Sequence, residues 1–129
     1  MELVQVGSDG RFYIEAYGVE GLSVGGHLWT ESILLLPYDV SAWSVNKVSD
    51  LTLDCFGKVF SSSPRVEIFL LGCGSEGSMV SKSLLYDLKN QGLVLESMNT
   101  GAACRTYNLL LSEDRRVAAG LMPINSLGN

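Results

Sequence analysis

Gly72-Cys73-Gly74-Ser75-Glu76-Gly77 decides the fold class. It follows the apolar run at residues 66–71 and precedes a helical pattern over 78–90. In that pattern Ser78 stands as the cap, Leu84, Leu85 and Leu88 point inward, and Gly92 is the stop. Residues 93–98 read as the next strand, 100–111 as a second helix and 116–122 as a last strand closed by Pro123. The second half is therefore β-α-β-α-β. Units of this length run their strands parallel, joined by right-handed crossovers.

The first half is mostly strand. Phe12, Ile14 and Ala16 alternate with Tyr13, Glu15 and Tyr17, as in a half-buried strand. Residues 21–24 read as a second strand, and Gly25-Gly26 permits a tight reversal. Residues 27–36 read as one long strand, buried on both faces at its far end and ended by Pro37. Residues 38–43 form a further extended stretch. A helix is expected over 50–60, capped by Ser49 or Asp50, with Leu53, Phe56, Val59 and Phe60 on one stripe. Residues 1–10 read as a short arm ending in the turn cluster Gly7-Ser8-Asp9-Gly10, and residues 125–129 as a loose tail. The expected architecture is an α/β single domain over 1–129, with its core at 11–123. It has a central mixed sheet with helices on one face; the early strands and the first helix pack opposite.

The composition narrows the function. The chain has 129 residues, 47% of them hydrophobic and 18% charged, which suits one globular core. Nine basic and fourteen acidic residues give a net charge of -5, and Arg115-Arg116 is the only adjacent basic pair. Such a surface repels nucleic-acid backbones. The longest clean aliphatic run, residues 33–36, is far short of the ~20 residues of a membrane span, so an integral membrane protein is not expected. The N-terminus carries Glu2 and lacks a secretion signal, which points to the cytoplasm. Cys55, Cys73 and Cys104 are odd in number and widely spaced, as in a reducing compartment. With one histidine and no Cys-x-x-Cys, no zinc site and no other metal is expected.

Gly-x-Gly-x-x-Gly, with Glu96 on the following strand, outlines a dinucleotide site. Three features count against it. Only about 50 residues follow Gly77, too few for the usual sheet and a substrate domain. Glu76 puts a negative charge in the phosphate loop, and Glu96 sits before the end of its strand. No cofactor is therefore expected. If the two strands are parallel neighbours, both helix starts border one crevice. The candidate pocket there comprises Gly72, Cys73, Gly74, Thr100, Gly101, Cys104, Arg105, Thr106 and Asn108. Thr100, Arg105 and free amides could hold a small anion; equally, Thr100 or Asn99 is an ordinary cap and Arg105 is solvated or paired with Glu76. Cys73 and Cys104 could form a redox or nucleophilic pair, but no base is near in sequence, and inert cysteines are the reading. His27 reads as a structural hairpin residue. No Gly-x-Ser-x-Gly is present to start a hydrolase triad. The aromatic-rich first half, with Tyr13, Tyr17, Trp29, Tyr38 and Trp43, suits both a core and a protein interface.

Four stretches taken together resemble a known family. They are Ile33-Leu34-Leu35-Leu36-Pro37 followed by Trp43; Pro64-Arg65-Val66-Glu67-Ile68 leading to Leu71-Gly72-Cys73-Gly74; residues 99–108; and Val117-Ala118-Ala119-Gly120-Leu121-Met122-Pro123. In this order and spacing, over residues 18–123, the chain is similar to the MTH938-like domain family, formerly domain of unknown function 498. The family includes bacterial proteins and a mitochondrial assembly factor for respiratory complex I. The resemblance implies a central mixed sheet with a smaller side sheet, no established catalytic activity, and an incidental Gly77. Its recurrent positions match Gly72, Gly74, Thr100, Ala103, Thr106, Tyr107 and Asn108. The resulting expectation is a non-enzymatic interaction or assembly factor with a protein partner. It would be cytoplasmic, at the inner membrane only through that partner, with homo-oligomerisation left open. The alternative is a small-anion or nucleotide-binding protein, or an enzyme, using the Gly72–Gly74 loop and the Thr100–Asn108 helix start.

Overall fold

The computed structural model describes residues 10–126 and the backbone of Glu2–Leu3. The turn expected at Gly7-Ser8-Asp9 and the tail from 127 onward lie outside the described residues. Two sheets form. The smaller is an antiparallel meander in the order β1 (Glu2–Leu3), β2 (Ile14–Gly18), β3 (Gly21–Val24) and β4 (His27–Trp29). The central sheet contains β5 (Ile33–Leu36), β6 (Asp39–Ala42), β7 (Ile68–Gly72), β8 (Val94–Met98) and β9 (Val117–Leu121), in the order β6-β5-β9-β7-β8. β7 runs parallel to both β8 and β9, while β5 is antiparallel to β6 and β9. The sheet is mixed, as expected.

Among the described residues three α-helices flank it: α1 (Gly57–Phe60), α2 (Lys82–Asn90) and α3 (Thr100–Ser112). Their placement follows from chain direction. The step from β7 to β8 moves one strand outward; the step from β8 to β9 moves back across β7. Two right-handed crossovers in opposite directions must put α2 and α3 on opposite faces. β7 shows the result. Phe69 and Leu71 face a cluster with Leu84 and Leu88 of α2, whereas Leu70 faces a cluster with Ala103, Tyr107 and Leu111 of α3. The helix beside the side sheet is therefore α3. The segment expected there, 50–60, packs with α2 instead, through Phe56 and Val59.

Two expected elements differ in form. The strand at 27–36 divides in two, because Thr30-Glu31-Ser32 carries the chain from one sheet to the other. Ser32 is fully buried there, its carbonyl accepting from the Trp43 amide at 2.9 Å. The helix at 50–60 is reduced to two 3-10 turns, Val48–Asp50 and Leu53–Phe56, and the single turn of α1. The Trp43 indole Nε1 donates to the Cys55 carbonyl at 3.3 Å, which ties this segment to the stretch after β6.

Trp43 also sets the packing on this face. Its ring lies against Phe56 and Phe69, with centroids 6.2 and 5.7 Å apart. It reaches them across β9 because Gly120 has no side chain; a Cβ there would sit 2.3 Å from the Trp43 ring and 2.8 Å from Phe69. Gly120→Ala is expected to destabilise the protein by about 1–3 kcal/mol through overpacking. Urea unfolding followed by circular dichroism checks this, and adding Trp43→Leu should recover part of the loss.

Candidate functional site

β7 and β8 end at the same edge, with Gly72 level with Met98. Their following helices leave to opposite faces, so this is the switch point where open α/β sheets usually hold a ligand. Here the chain closes it with its own bonds. The Cys73 amide donates to the Met98 carbonyl at 2.8 Å, and the Thr100 amide to the Gly74 carbonyl at 2.8 Å. The Gly74 amide donates to Thr100 Oγ1 at 2.8 Å, and that hydroxyl donates to the Met122 carbonyl at 2.8 Å. The Ser75 amide and hydroxyl both donate to the Ser126 carbonyl, at 2.8 and 3.2 Å.

The glycines serve this closure. Gly74 has φ +86°, and a Cβ on it would meet the Ser126 carbonyl oxygen at 2.1 Å. At Gly72 a Cβ would lie 3.0 Å from the Thr100 backbone. Gly77 has ordinary φ, and its nearest neighbour would be 3.7 Å away, so the third glycine of the motif is not needed for space. Glu96 lies mid-strand, level with Leu70.

The start of α2 lies further along the chain than the sequence pattern places it. Ser81, not Ser78, caps α2, its hydroxyl accepting from the Leu84 amide at 3.2 Å. Residues 78–80 belong to no regular element, and Val80 packs in the core cluster with Leu84. At α3 the cap is Asn99, whose Oδ1 accepts from Ala102 at 2.8 Å, which leaves the Thr100 hydroxyl to turn inward.

The other candidate residues spread along α3. Arg105 pairs with neither Glu76 nor an empty crevice: its Nη1 donates to the Tyr17 hydroxyl at 2.7 Å. A Cβ on Gly101 would rest 3.4 Å from the same ring, so the first turn of α3 packs on Tyr17. Thr106 is half-buried. Asn108 faces the side sheet, accepting from the Ile14 amide at 2.9 Å and donating to the Ile14 carbonyl at 2.8 Å. Next to it the Tyr107 hydroxyl donates to the Phe12 carbonyl at 3.2 Å.

Cys73 and Cys104 belong to different core clusters on opposite faces of the sheet, so they form no pair. Burial pushes both thiols up, Cys104 to about 12, and the neighbouring Arg105 offsets only part of that. Burial also raises Tyr107. Such thiols stay protonated and unreactive near neutrality. Among the described residues, no group of three or more His, Cys, Asp and Glu side chains is placed to hold a metal ion. Sequence reasoning missed Tyr17, Met122 and Ser126. Two of these act through backbone carbonyls, which carry no residue signature.

Comparison with known proteins places these features in a wider group. The model of the family "Protein of unknown function (DUF498/DUF598)" matches residues 14–122. The human protein named NADH dehydrogenase (ubiquinone) 1 alpha subcomplex assembly factor 3 is 30% identical over 123 residues. The match covers 95% of this chain and 67% of that protein's length. A crystal structure of a Bordetella parapertussis protein superposes with a TM-score of 0.81 at 28% identity, over 91% of this chain and 99% of that one. The solution structure of an Mth938-like domain from Bordetella pertussis shares the fold, with a TM-score of 0.78 at 24% identity over 98% and 94% of the two chains. The MTH938-like fold expected from sequence is the fold found.

Thr100→Val keeps the shape and leaves the Gly74 amide and Met122 carbonyl without their partner. A loss of about 1–3 kcal/mol for each unsatisfied group is expected in denaturant unfolding. The buried thiol gives a pH signature. Cys104 is raised in the folded state above its usual 9.0, so its contribution is fully present below pH 9. It is lost as pH rises from 9 towards 12, because only the unfolded chain ionises there. Stability measured across that window should fall less steeply for Cys104→Ala than for the wild type.

Proposed function

The chain belongs to the DUF498/DUF598 family, and we propose that this member is a non-catalytic binding protein in the assembly of respiratory complex I. The observation that carries the reading is the likeness to the human assembly factor along 95% of this chain. The closed switch point supports it. An anion or nucleotide at this loop would need the Cys73, Gly74 and Ser75 amides, which already donate to Met98, Thr100 and Ser126.

Among the described residues, no helix is long and apolar enough to cross a membrane. In this reading the protein works from the cytoplasm and meets a membrane complex through a protein partner. Its task is to hold a subunit or intermediate by surface complementarity, so the parts that matter are exposed side chains and not a reacting group. Deleting the gene is expected to lower the amount of assembled complex I and its NADH-oxidising activity, with recovery when the wild-type chain is supplied. Native gel electrophoresis of membranes checks this; normal content and activity in the deletion strain would remove the proposal.

A further inference from the structure

The edge of the central sheet opposite the glycine loop carries two adjoining clefts, of about 280 and about 120 Å³. They share Pro37, Tyr38 and Pro64. Tyr38 is 63% exposed, although the flanking Leu36 and Val66 are buried. An exposed tyrosine between two prolines, over an apolar floor, is the composition of an interface anchor.

The charge at this edge departs from that of the chain as a whole. Arg11, Arg115, Arg116 and Lys58 border the clefts. Their acidic neighbours are Asp114, 3.3 Å from Arg11, Asp39, 3.7 Å from Lys58, and Glu67, which pairs with Arg116. The described lining of the two clefts thus holds four basic residues and two acidic ones, Asp39 and Asp114. Arg115 is exposed and forms no ion pair with any described residue. The negative end of α3 also reaches this edge, but the Arg11 guanidinium covers it by donating to the Leu111 carbonyl at 2.9 Å.

We propose that this groove binds an extended acidic segment of a partner protein, with Tyr38 as the apolar anchor and Arg115 as the free cation. An extended segment fits because the two clefts adjoin along Pro37, Tyr38 and Pro64, so successive side chains on one face of a strand can enter one and then the other. An acidic one fits because it supplies the counter-charge that Arg115 lacks and that the acidic remainder of the surface repels. The proposal rests on the assembly reading and assigns a surface to it.

The test uses the full chain and a fluorescein-labelled Glu/Pro/Leu peptide followed by anisotropy. Saturable binding is expected, weakening as salt is added and weaker by about tenfold for Arg115→Glu. Tyr38→Ala should also weaken it. Lys82→Glu, in a separate cleft of about 710 Å³ beside α2, should leave it unchanged. Three results would each overturn the assignment: no saturable binding, equal binding of a Lys/Pro/Leu peptide, or undiminished binding by an Arg115→Glu protein with wild-type thermal unfolding. Complementation separates the two readings. If deletion leaves complex I normal, the assembly role fails and the titration alone decides the groove. If deletion lowers complex I and Arg115→Glu restores it as fully as wild type, the groove fails while the assembly role stands.

Discussion

One buried hydroxyl organises the carboxyl edge of this protein. Thr100 is fully buried, and its Oγ1 accepts from Gly74 and donates to Met122. Three segments far apart in sequence meet at that atom: the loop after β7, the start of α3 and the exit from β9. A buried hydroxyl has to be satisfied, and here it is satisfied only when all three are in register. The glycines at 72 and 74 leave the room it needs. An edge committed in this way offers few spare donors, which is why the function is sought on the outer surfaces.

The same economy governs the two cores. The crossovers send α2 and α3 to opposite faces, so neither face is left to solvent. The alternation along β7 divides Phe69 and Leu71 from Leu70. On the α2 face, aromatic rings do the filling. Trp43, from beyond β6, meets Phe69 of β7 only because Gly120 of the intervening β9 is bare. On the α3 face, small residues, Ala103 and Ala119, let helix and strand approach, and Tyr107 closes the gap to the side sheet.

Much of this was legible in the residues. Period-two and period-3.6 patterns located the second-half strands and both long helices, and the order of quoted stretches pointed to the MTH938-like fold. What escaped depended on contacts distant in sequence. Nothing in Thr30-Glu31-Ser32 marks a change of sheet, because none of the three is a glycine or proline. Ser78 and Ser81 are equal as caps until Val80 is known to be buried. Asn99 and Thr100 are equal too, until one hydroxyl is seen to have a partner 26 residues upstream. Of the candidate pocket residues, Gly72, Gly74 and Thr100 lie together at the carboxyl edge. The sequence pattern could not show that Ser126 would lie against the loop, or that Arg105 and Asn108 would turn towards the side sheet.

Asn108 holds more than its size suggests. In the described part of β1 the pairing with β2 falls at Ala16 and Tyr17, and the backbone of Ile14 is met from α3. The Asn108 carboxamide makes that contact, offering one acceptor and one donor as a peptide unit would. A hydrophobic seam alone would let the meander glide over α3 with little penalty. This forked clasp recognises a single residue, so a slip by one position would strand four polar groups in the dark interior. The join between the two halves of the molecule is therefore keyed and not merely glued.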